Sequence, residues 1–226
     1  MSSATESLQR LELHSGDRMT REEFHRIYSR MPENIRAELV QGVVYVASPL
    51  RRKHGTHHIS LGIVFGIYEG RTRGVESGDN ASILLGDDSE PQPDLYLRIL
   101  EDFGGQSTIS DDDYVVGPPE MLAEIALSSQ SIDLHSKHDD YRRAGVKEYL
   151  VVCVNEERLR AFDLQNDVEK PLDPDGVYRS AVFPGLWIHA AGLFARNHTQ
   201  LISTLEQGLE SPEHTDFVQR IAGRRR

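Results

Sequence analysis

The strongest constraint on the fold lies in the second half of the chain, where two apolar segments flank a helical pattern. Residues 121–127 (MLAEIAL) and 148–154 (EYLVVCV) have the length and apolar content of strands. Residues 131–144 predict a helix, and Gly145 follows it at the position where glycine most often ends a helix. A strand, a helix and a strand in this order predict a βαβ-like unit.

Weaker patterns upstream predict the rest of the sheet. Thr20 begins a capping-box pattern for a helix that Pro32 ends. Residues 39–48 predict one strand and residues 57–69 a second helix, while short β-like pieces between residues 75 and 100 predict a meander. Together with the βαβ-like unit, these elements predict an α/β fold, a mixed β-sheet flanked by helices.

The organisation of the chain follows from the same patterns. Residues 1–18 are polar and loosely patterned, so we expect a flexible N-terminal segment. Residues 19–195 carry the predicted sheet and its helices, and form the expected main domain. Residues 196–226 predict a helical C-terminal extension with a basic tail, made of two short helices separated at residues 211–212.

Composition excludes several classes of protein. The formal charge is −11, from 25 Lys and Arg against 36 Asp and Glu. This argues against general nucleic-acid coating or membrane-surface binding, which both need a cationic field, but is compatible with a nucleic-acid enzyme that has a local basic rim. Cys153 is the only cysteine, so no disulfide or thiolate zinc site is expected. No apolar run approaches the ~18 residues of a membrane span, and the first residues lack a signal-peptide pattern, so we expect a cytoplasmic protein.

Glu124 is the one charged residue of the apolar segment 121–127. Burying an unpaired carboxylate costs several kcal/mol, so Glu124 must be protonated, paired, bound to a metal or on a wet face. The simplest alternative is an alternating strand in which Glu124 faces water.

Three further residues are candidates to join Glu124. Asp94 stands at the beginning of an apolar strand, directly after a proline. Lys137 shares one face of the helix predicted at residues 131–144 with Asp133 and Tyr141. Glu38 stands just before the first predicted strand. Each has an ordinary explanation when taken alone: a turn aspartate, an exposed ion pair and a surface glutamate.

Taken together, these residue types suggest a chemistry. Converging carboxylates repel one another, and a hard divalent cation such as Mg²⁺ relieves that repulsion and can bind phosphate oxygens. A nearby lysine can stabilise developing charge or orient a water molecule. The set fits a phosphodiester hydrolase, but Asp, Glu and Lys are common residues and their spacing alone leaves the chemistry open.

Several segments, in this order and at compatible spacings, resemble the Uma-type restriction endonucleases. That family belongs to the PD-(D/E)xK nuclease superfamily and has the restriction-endonuclease-like fold. The resemblance covers roughly residues 19–195. The matching segments are residues 37–42 (AELVQG), 48–49 (SP), 92–95 (QPDL), 122–125 (LAEI), 133–149 (the pattern of Asp133, Lys137, Tyr141, Ala144, Gly145, Val146, Glu148 and Tyr149) and 183–186 (FPGL).

The resemblance implies a role for each candidate residue. Asp94 and Glu124 bind the metal, Mg²⁺ or Mn²⁺, and Glu38 is a helix-borne acid beside them. Lys137 is the catalytic lysine. The sequence departs from the superfamily pattern here, because the lysine expected two residues after the strand glutamate is Ala126, so Lys137 must reach the site from the next helix.

A basic and histidine-rich segment precedes the second predicted helix. Arg51, Arg52 and Lys53 are candidates for phosphate contacts, and a solvated loop is an equal alternative. His57 best matches the histidine of the family in this region, and we expect it to contact nucleic acid. Zinc binding by His57 with its neighbours His54 and His58 is disfavoured, because the segment has no cysteine and no HExxH pattern.

We therefore expect a Mg²⁺-dependent endonuclease that hydrolyses phosphodiester bonds in DNA, acting as a homodimer because a double-strand cut needs two sites. The C-terminal helices are the candidate dimer contact. Two alternatives stay open: a catalytically inactive module of the same fold that binds nucleic acid or a protein, and a metal-dependent hydrolase of a small phosphorylated substrate. A basic rim that includes Arg142 and Arg143 would favour the enzyme over the first alternative, and a closed pocket would favour the second.

Overall fold

The structure is a computed structural model that describes residues 12–32 and 34–225. Of the flexible segment expected at residues 1–18, residues 1–11 lie outside the described residues. Arg226 of the basic tail also lies outside them. The helices are α1 (Arg21–Tyr28), α2 (Arg52–Arg71), α3 (His138–Ala144), α4 (Ala190–Ala195), α5 (His198–Leu209) and α6 (Pro212–Ala222). A π-helical segment, Ile132–Lys137, leads directly into α3, and a 3₁₀ turn spans Glu101–Phe103.

The strands are short and spread over the whole chain. They are β1 (Ala37–Val40), β2 (Val43–Val46), β3 (Val75–Asp79), β4 (Ile83–Leu84), β5 (Leu95–Ile99), β6 (Thr108–Ile109), β7 (Val115–Val116), β8 (Met121–Ala126), β9 (Glu148–Cys153), β10 (Arg158–Asp163), β11 (Val168–Lys170), β12 (Val177–Arg179) and β13 (Trp187–His189).

A six-stranded mixed sheet forms the centre, in the order β11-β10-β9-β8-β5-β3. Strands β8 and β9 are parallel and are joined through the π-helical segment and α3, which is the βαβ unit predicted from the sequence. The other neighbouring pairs of this sheet are antiparallel. The predicted fold class, a mixed α/β sheet flanked by helices, is confirmed.

The two faces of the sheet bury different sets of side chains. Along β8, Met121, Ala123 and Ile125 pack on the side of α2 and the C-terminal helices. Leu122 and Ala126 pack on the opposite side, with Tyr141 of α3. Because both faces of β8 are covered, the alternative in which Glu124 lies on a wet strand face is wrong. Glu124 is only 4% exposed.

The first predicted strand is wrong in one respect, because residues 39–48 do not form a single strand. The chain reverses at Gln41 and Gly42, whose φ angles are 52° and 72°, and β1 and β2 pair as an antiparallel hairpin. Two successive residues with positive φ are typical of the tight turns that suit twisted hairpins. Asn-Gly is the usual sequence for such a turn, so Gln-Gly gave a weaker signal.

Helix α2 begins five residues earlier than predicted, at Arg52 rather than at residue 57. Its first turn carries basic residues and no acidic ones, and Arg51 at the N-cap provides no side-chain hydrogen bond. Both features are unfavourable at the positive end of a helix dipole, which is why sequence reasoning started the helix late. The additional turn places His54 within the helix.

The two short helices predicted within residues 196–226 are α5 and α6. Leu201, Leu205, Phe217 and Ile221 from these helices are buried in the same core as α2 and the sheet. Among the described residues, none of the helices combines the length and the hydropathy needed to cross a bilayer.

Candidate active site

The pairing of β5 with β8 brings two of the predicted site residues together. The strands are antiparallel, with Leu95 opposite Ala123. Continuing this register by one residue sets the backbone of Asp94 opposite that of Glu124, and the charge of Asp94 raises the pKa of Glu124. Two residues about 30 positions apart in the chain therefore come close to one another at the end of β5.

Glu124 is held by two donors from the helical connection that follows its strand. The Lys137 ammonium and the Tyr141 hydroxyl each donate to Oε1 of Glu124 over 2.9 Å. Burial raises the pKa of Glu124 well above its usual value, against the opposing effect of Lys137, and the charges of Asp133, Asp94 and Glu38 raise it further. The Glu124 carboxyl is therefore buried, accepts two hydrogen bonds, and has nearby negative charges that disfavour its ionised form.

Lys137 is shared among three carboxylates. Besides Glu124, its Nζ lies 2.8 Å from Glu38 and 3.9 Å from Asp133. Burial alone would lower the pKa of Lys137, but the three carboxylates outweigh burial and hold the pKa well above its usual value. The exposed Asp133–Lys137 pair considered as the ordinary explanation is thus excluded, since both side chains are buried.

The geometry of the helix that carries Lys137 departs from an ordinary α-helix. Residues Ile132–Lys137 form π-helical turns, which are rare and occur often at functional sites. Asp133 is fixed there by the Ser129 hydroxyl, which donates over 2.6 Å, and Tyr149 donates to the backbone carbonyl of Asp133. Burial raises the pKa of Asp133 to about 6.

Glu38 lies on strand β1, so the implied placement of this acid on a helix is wrong. The hairpin turns at Gln41 and Gly42, and the Gln41 side chain donates to the carbonyl of Ser136, next to Lys137. Backbone hydrogen bonds between Leu39 and Glu90 attach β1 to the segment leading to Asp94. These contacts fix the position of the hairpin, so that Glu38 lies beside Lys137.

Asp94 has a different set of partners. Nε2 of His54 lies 3.1 Å from both carboxylate oxygens, and the Ile125 amide donates to Oδ2 over 2.7 Å. Nδ1 of His58 lies 3.9 Å from Oδ1. Burial would raise the pKa of Asp94, but His54, the Ile125 amide and His58 together hold it below its usual value.

The structure places the predicted nucleic-acid contacts at the beginning of α2. Arg51, Arg52 and Lys53 are exposed there, and Arg52 and Lys53 lie within the first helical turn rather than in a loop. His57 lies on another side of the helix from Asp94: its Nδ1 is 2.7 Å from the Lys53 carbonyl and its ring contacts Phe194.

Sequence reasoning missed the histidines that face Asp94 and the hydroxyl that holds Glu124. His54 and His58 are four residues apart, a spacing that puts both on one helix face, but the late predicted start of α2 left His54 outside the helix. The spacing of Tyr141 from Lys137 predicts that both lie on the same helix face, but it gives no indication that the Tyr141 hydroxyl donates to Glu124.

Carboxylates outnumber cations around the buried ammonium of Lys137. Glu38, Glu124 and Asp133 surround Lys137, and Asp94 stands opposite Glu124. One ammonium cannot balance this set when all the acids are ionised, which agrees with the raised pKa values of Glu124 and Asp133. Carboxylate oxygens are the ligands that hard divalent cations prefer, so Asp94 and Glu124 fit such a cation chemically.

Comparisons with known proteins identify the fold and the family of the chain. No curated protein matches the chain. A crystal structure described as a putative nuclease belonging to DUF820, from Anabaena variabilis, superimposes with a TM-score of 0.60 and 14% identity, covering 75% of this chain and 96% of that one. This likeness concerns the fold. The model of the Uma2 family, described as putative restriction endonuclease, matches residues 21–191, and the chain belongs to that family.

Proposed function

We propose that this protein is a divalent-metal-dependent endonuclease that hydrolyses phosphodiester bonds in DNA. One observation carries the proposal: a buried lysine lies within 3 Å of two carboxylates, Glu124 (2.9 Å) and Glu38 (2.8 Å), at the place where Asp94 stands opposite Glu124. Family membership supports the nuclease class, and the acids and lysine support the metal-dependent chemistry.

Asp94 and Glu124 would hold the metal ion, with Mg²⁺ and Mn²⁺ as the proposed cofactors. When bound, such an ion polarises a phosphate oxygen and lowers the pKa of a coordinated water molecule. Glu124 is prepared for this role by its burial and by the surplus of acids around it, because a cation would relieve both sources of unfavourable energy. Asp94 is kept ionised by His54 and the Ile125 amide.

Lys137 is the residue proposed to act on the attacking water or on the transition-state charge. Its ammonium is oriented by Glu124, Glu38 and Asp133, so it is fixed before substrate arrives. A preorganised cation in a site shielded from water stabilises developing negative charge more strongly than a solvated one. Tyr141 is a positioning residue, since it holds Glu124 through one hydrogen bond.

The beginning of α2 is the proposed contact for the DNA backbone. Arg51, Arg52 and Lys53 are exposed and lie next to His54, which contacts Asp94. These three cations lie at the N-terminus of α2, which is the positive end of the helix dipole. Phosphate groups there would be attracted by the side-chain charges and by the dipole. Of the other basic candidates, Arg143 already binds Asp88 and Asp140, and Arg142 lies 3.8 Å from Asp167.

The experiment that tests the function measures cleavage of supercoiled plasmid, single-stranded DNA and RNA in Mg²⁺ or Mn²⁺. The purified protein is compared with Glu124→Gln, and with Glu213→Gln as a control at an exposed position of α6. We expect wild type and Glu213→Gln to cut DNA, and EDTA or Glu124→Gln to prevent cutting.

Each other outcome points to a different function. Absence of cleavage by folded wild type on every substrate would contradict the proposal. Binding of DNA without cleavage would then identify a non-cleaving module, and hydrolysis of small phosphodiesters alone would identify a small-substrate hydrolase.

A further inference from the structure

Two histidines of α2 share one helix face and both approach Asp94. His54 and His58 are one turn apart, with ring centroids separated by 6.0 Å. Each of the three residues offers a ligand atom, and these atoms all lie within 4.8 Å of one another. Two histidines at positions i and i+4 of a helix are a common way to present a pair of imidazole nitrogens to one metal ion.

Asp94 and His58 each have a further partner close by. Oδ2 of Asp94 accepts from the Ile125 amide over 2.7 Å, which fixes the carboxylate. Nε2 of His58 lies 3.7 Å from the Asp79 carboxylate, a suitable outer partner when Nδ1 faces the ion. Within the described residues, Nδ1 of the buried His54 has no hydrogen-bond partner, and the hydrogen bond of this ring is made by Nε2 to Asp94.

We infer that His54, His58 and Asp94 form a site for a first-row transition-metal ion, such as Mn²⁺, Co²⁺ or Zn²⁺, in preference to Mg²⁺. Imidazole nitrogen suits these ions, whereas Mg²⁺ prefers oxygen ligands and gives up its water reluctantly. This deepens the proposed function, on which it rests for the shared ligand Asp94, by naming the class of metal that the site takes. The sequence alone disfavours metal ligation by His54, His57 and His58 together. The structure supports ligation by His54 and His58 without His57, because the His57 ring contacts the Lys53 carbonyl instead.

An ordinary alternative is a hydrogen bond between His54 and Asp94 with no metal ion bound. That pair does not require His58, whose Nδ1 lies 3.9 Å from the carboxylate, beyond hydrogen-bond distance. The two interpretations therefore differ in what loss of His58 does: it removes a ligand in the first and changes little in the second.

The test is a titration of metal-free, full-length protein with Co²⁺, following the visible d–d absorption, with Mg²⁺ as the competitor. Substituting either histidine (His58→Ala or His54→Gln) should weaken Co²⁺ binding by at least about 100-fold, because even outer partners of metal-bound histidines contribute about 10- to 100-fold. His57→Gln, at a neighbouring position of the same helix, is the matched control and should bind Co²⁺ like wild type. Asp79→Asn should weaken binding by about 10-fold.

The outcomes separate this inference from the proposed function. Co²⁺ binding that depends on His54 and His58 but is displaced by equimolar Mg²⁺ would overturn the metal preference. Wild-type affinity in both histidine variants, with circular dichroism showing them folded, would overturn the site itself. Histidine-dependent Co²⁺ binding in a protein that cuts no nucleic acid would support the site and contradict the nuclease. Mg²⁺-dependent cleavage without histidine-dependent Co²⁺ binding would do the reverse.

Discussion

The ammonium of Lys137 lies 2.9 Å from Oε1 of Glu124, although the lysine comes from the helical connection and the glutamate from the strand before it. The same ammonium reaches Glu38 on the β1–β2 hairpin at 2.8 Å. Three separate parts of the fold therefore meet at one buried cation. A substitution at this point should affect stability and chemistry in different ways, depending on which charge is removed.

Removing the cation should destabilise the protein. Lys137→Met leaves Glu38, Glu124 and Asp133 close together without a counter-charge, and loss of one partner from a buried ion pair typically costs about 3–5 kcal/mol. An exposed Asp133–Lys137 pair, the ordinary explanation from the sequence, would predict little loss of stability. Urea unfolding in metal-free buffer at pH 7 measures the difference, with the exposed Lys53→Met as control. Equal unfolding free energies for Lys137→Met and wild type would contradict the shared-cation arrangement.

Removing one acid should be far milder. Glu124→Gln keeps an acceptor for the Tyr141 hydroxyl and relieves the burial of a carboxylate, while Lys137 retains Glu38 and Asp133. We expect its unfolding free energy to stay within about 1.5 kcal/mol of wild type, smaller than the loss in Lys137→Met. The same unfolding experiment gives the comparison. A larger loss in Glu124→Gln than in Lys137→Met would show that the glutamate, and not the lysine, holds the cluster together.

Asp133 should make stability depend on pH. Burial raises its pKa in the folded protein to about 6, from 3.8 in the unfolded chain. The folded state therefore binds the proton more tightly, so the contribution of Asp133 to stability is present below pH 3.8 and is lost as the pH rises towards 6 and above. Asp133→Asn does not titrate, so its stability relative to wild type should increase between pH 4 and pH 7 in EDTA. A constant difference across this range would mean that Asp133 is ionised throughout.

The basic beginning of α2 should contribute to the salt dependence of DNA binding. Each phosphate contact contributes about 0.9 to the slope of log affinity against log salt concentration for duplex DNA. In the Glu124→Gln background, which we expect not to cut, Arg52→Ala should weaken binding and reduce the slope by about this amount. Fluorescence anisotropy of a labelled duplex measures both. Arg158→Ala, which removes a guanidinium already paired with Glu169, is the control. Identical slopes for the two variants would exclude Arg52 from the DNA contact.

The central sheet and most residues of the candidate site could be predicted from the sequence. The apolar strand around Glu124, the helix of Lys137 and Gly145 after it give strong local signals. The side-by-side placement of Asp94 and Glu124 depends on the register of β5 and β8, which pairs distant segments and has no local signal. Its prediction rested on the family resemblance rather than on periodicity.

Other features depended on details that composition does not reveal. The hairpin turn requires positive φ at Gln41, which most residues avoid, so residues 39–48 resembled one continuous strand. The early start of α2 has no capping signal, and this concealed the face shared by His54 and His58. The π-helical turns before α3 leave no pattern of their own, although they carry both Asp133 and Lys137.

The most direct test of the account is the single-turnover rate of DNA cleavage in Mn²⁺ for wild type and three single variants, Asp94→Asn, Glu124→Gln and Lys137→Met. Circular dichroism establishes that each variant is folded at the assay temperature, and Glu213→Gln serves as a folded control. The account predicts that each of the three falls to about 1% of the wild-type rate or below, as is typical when a group acting on the reaction is removed. Wild-type rates in all three folded variants would contradict it.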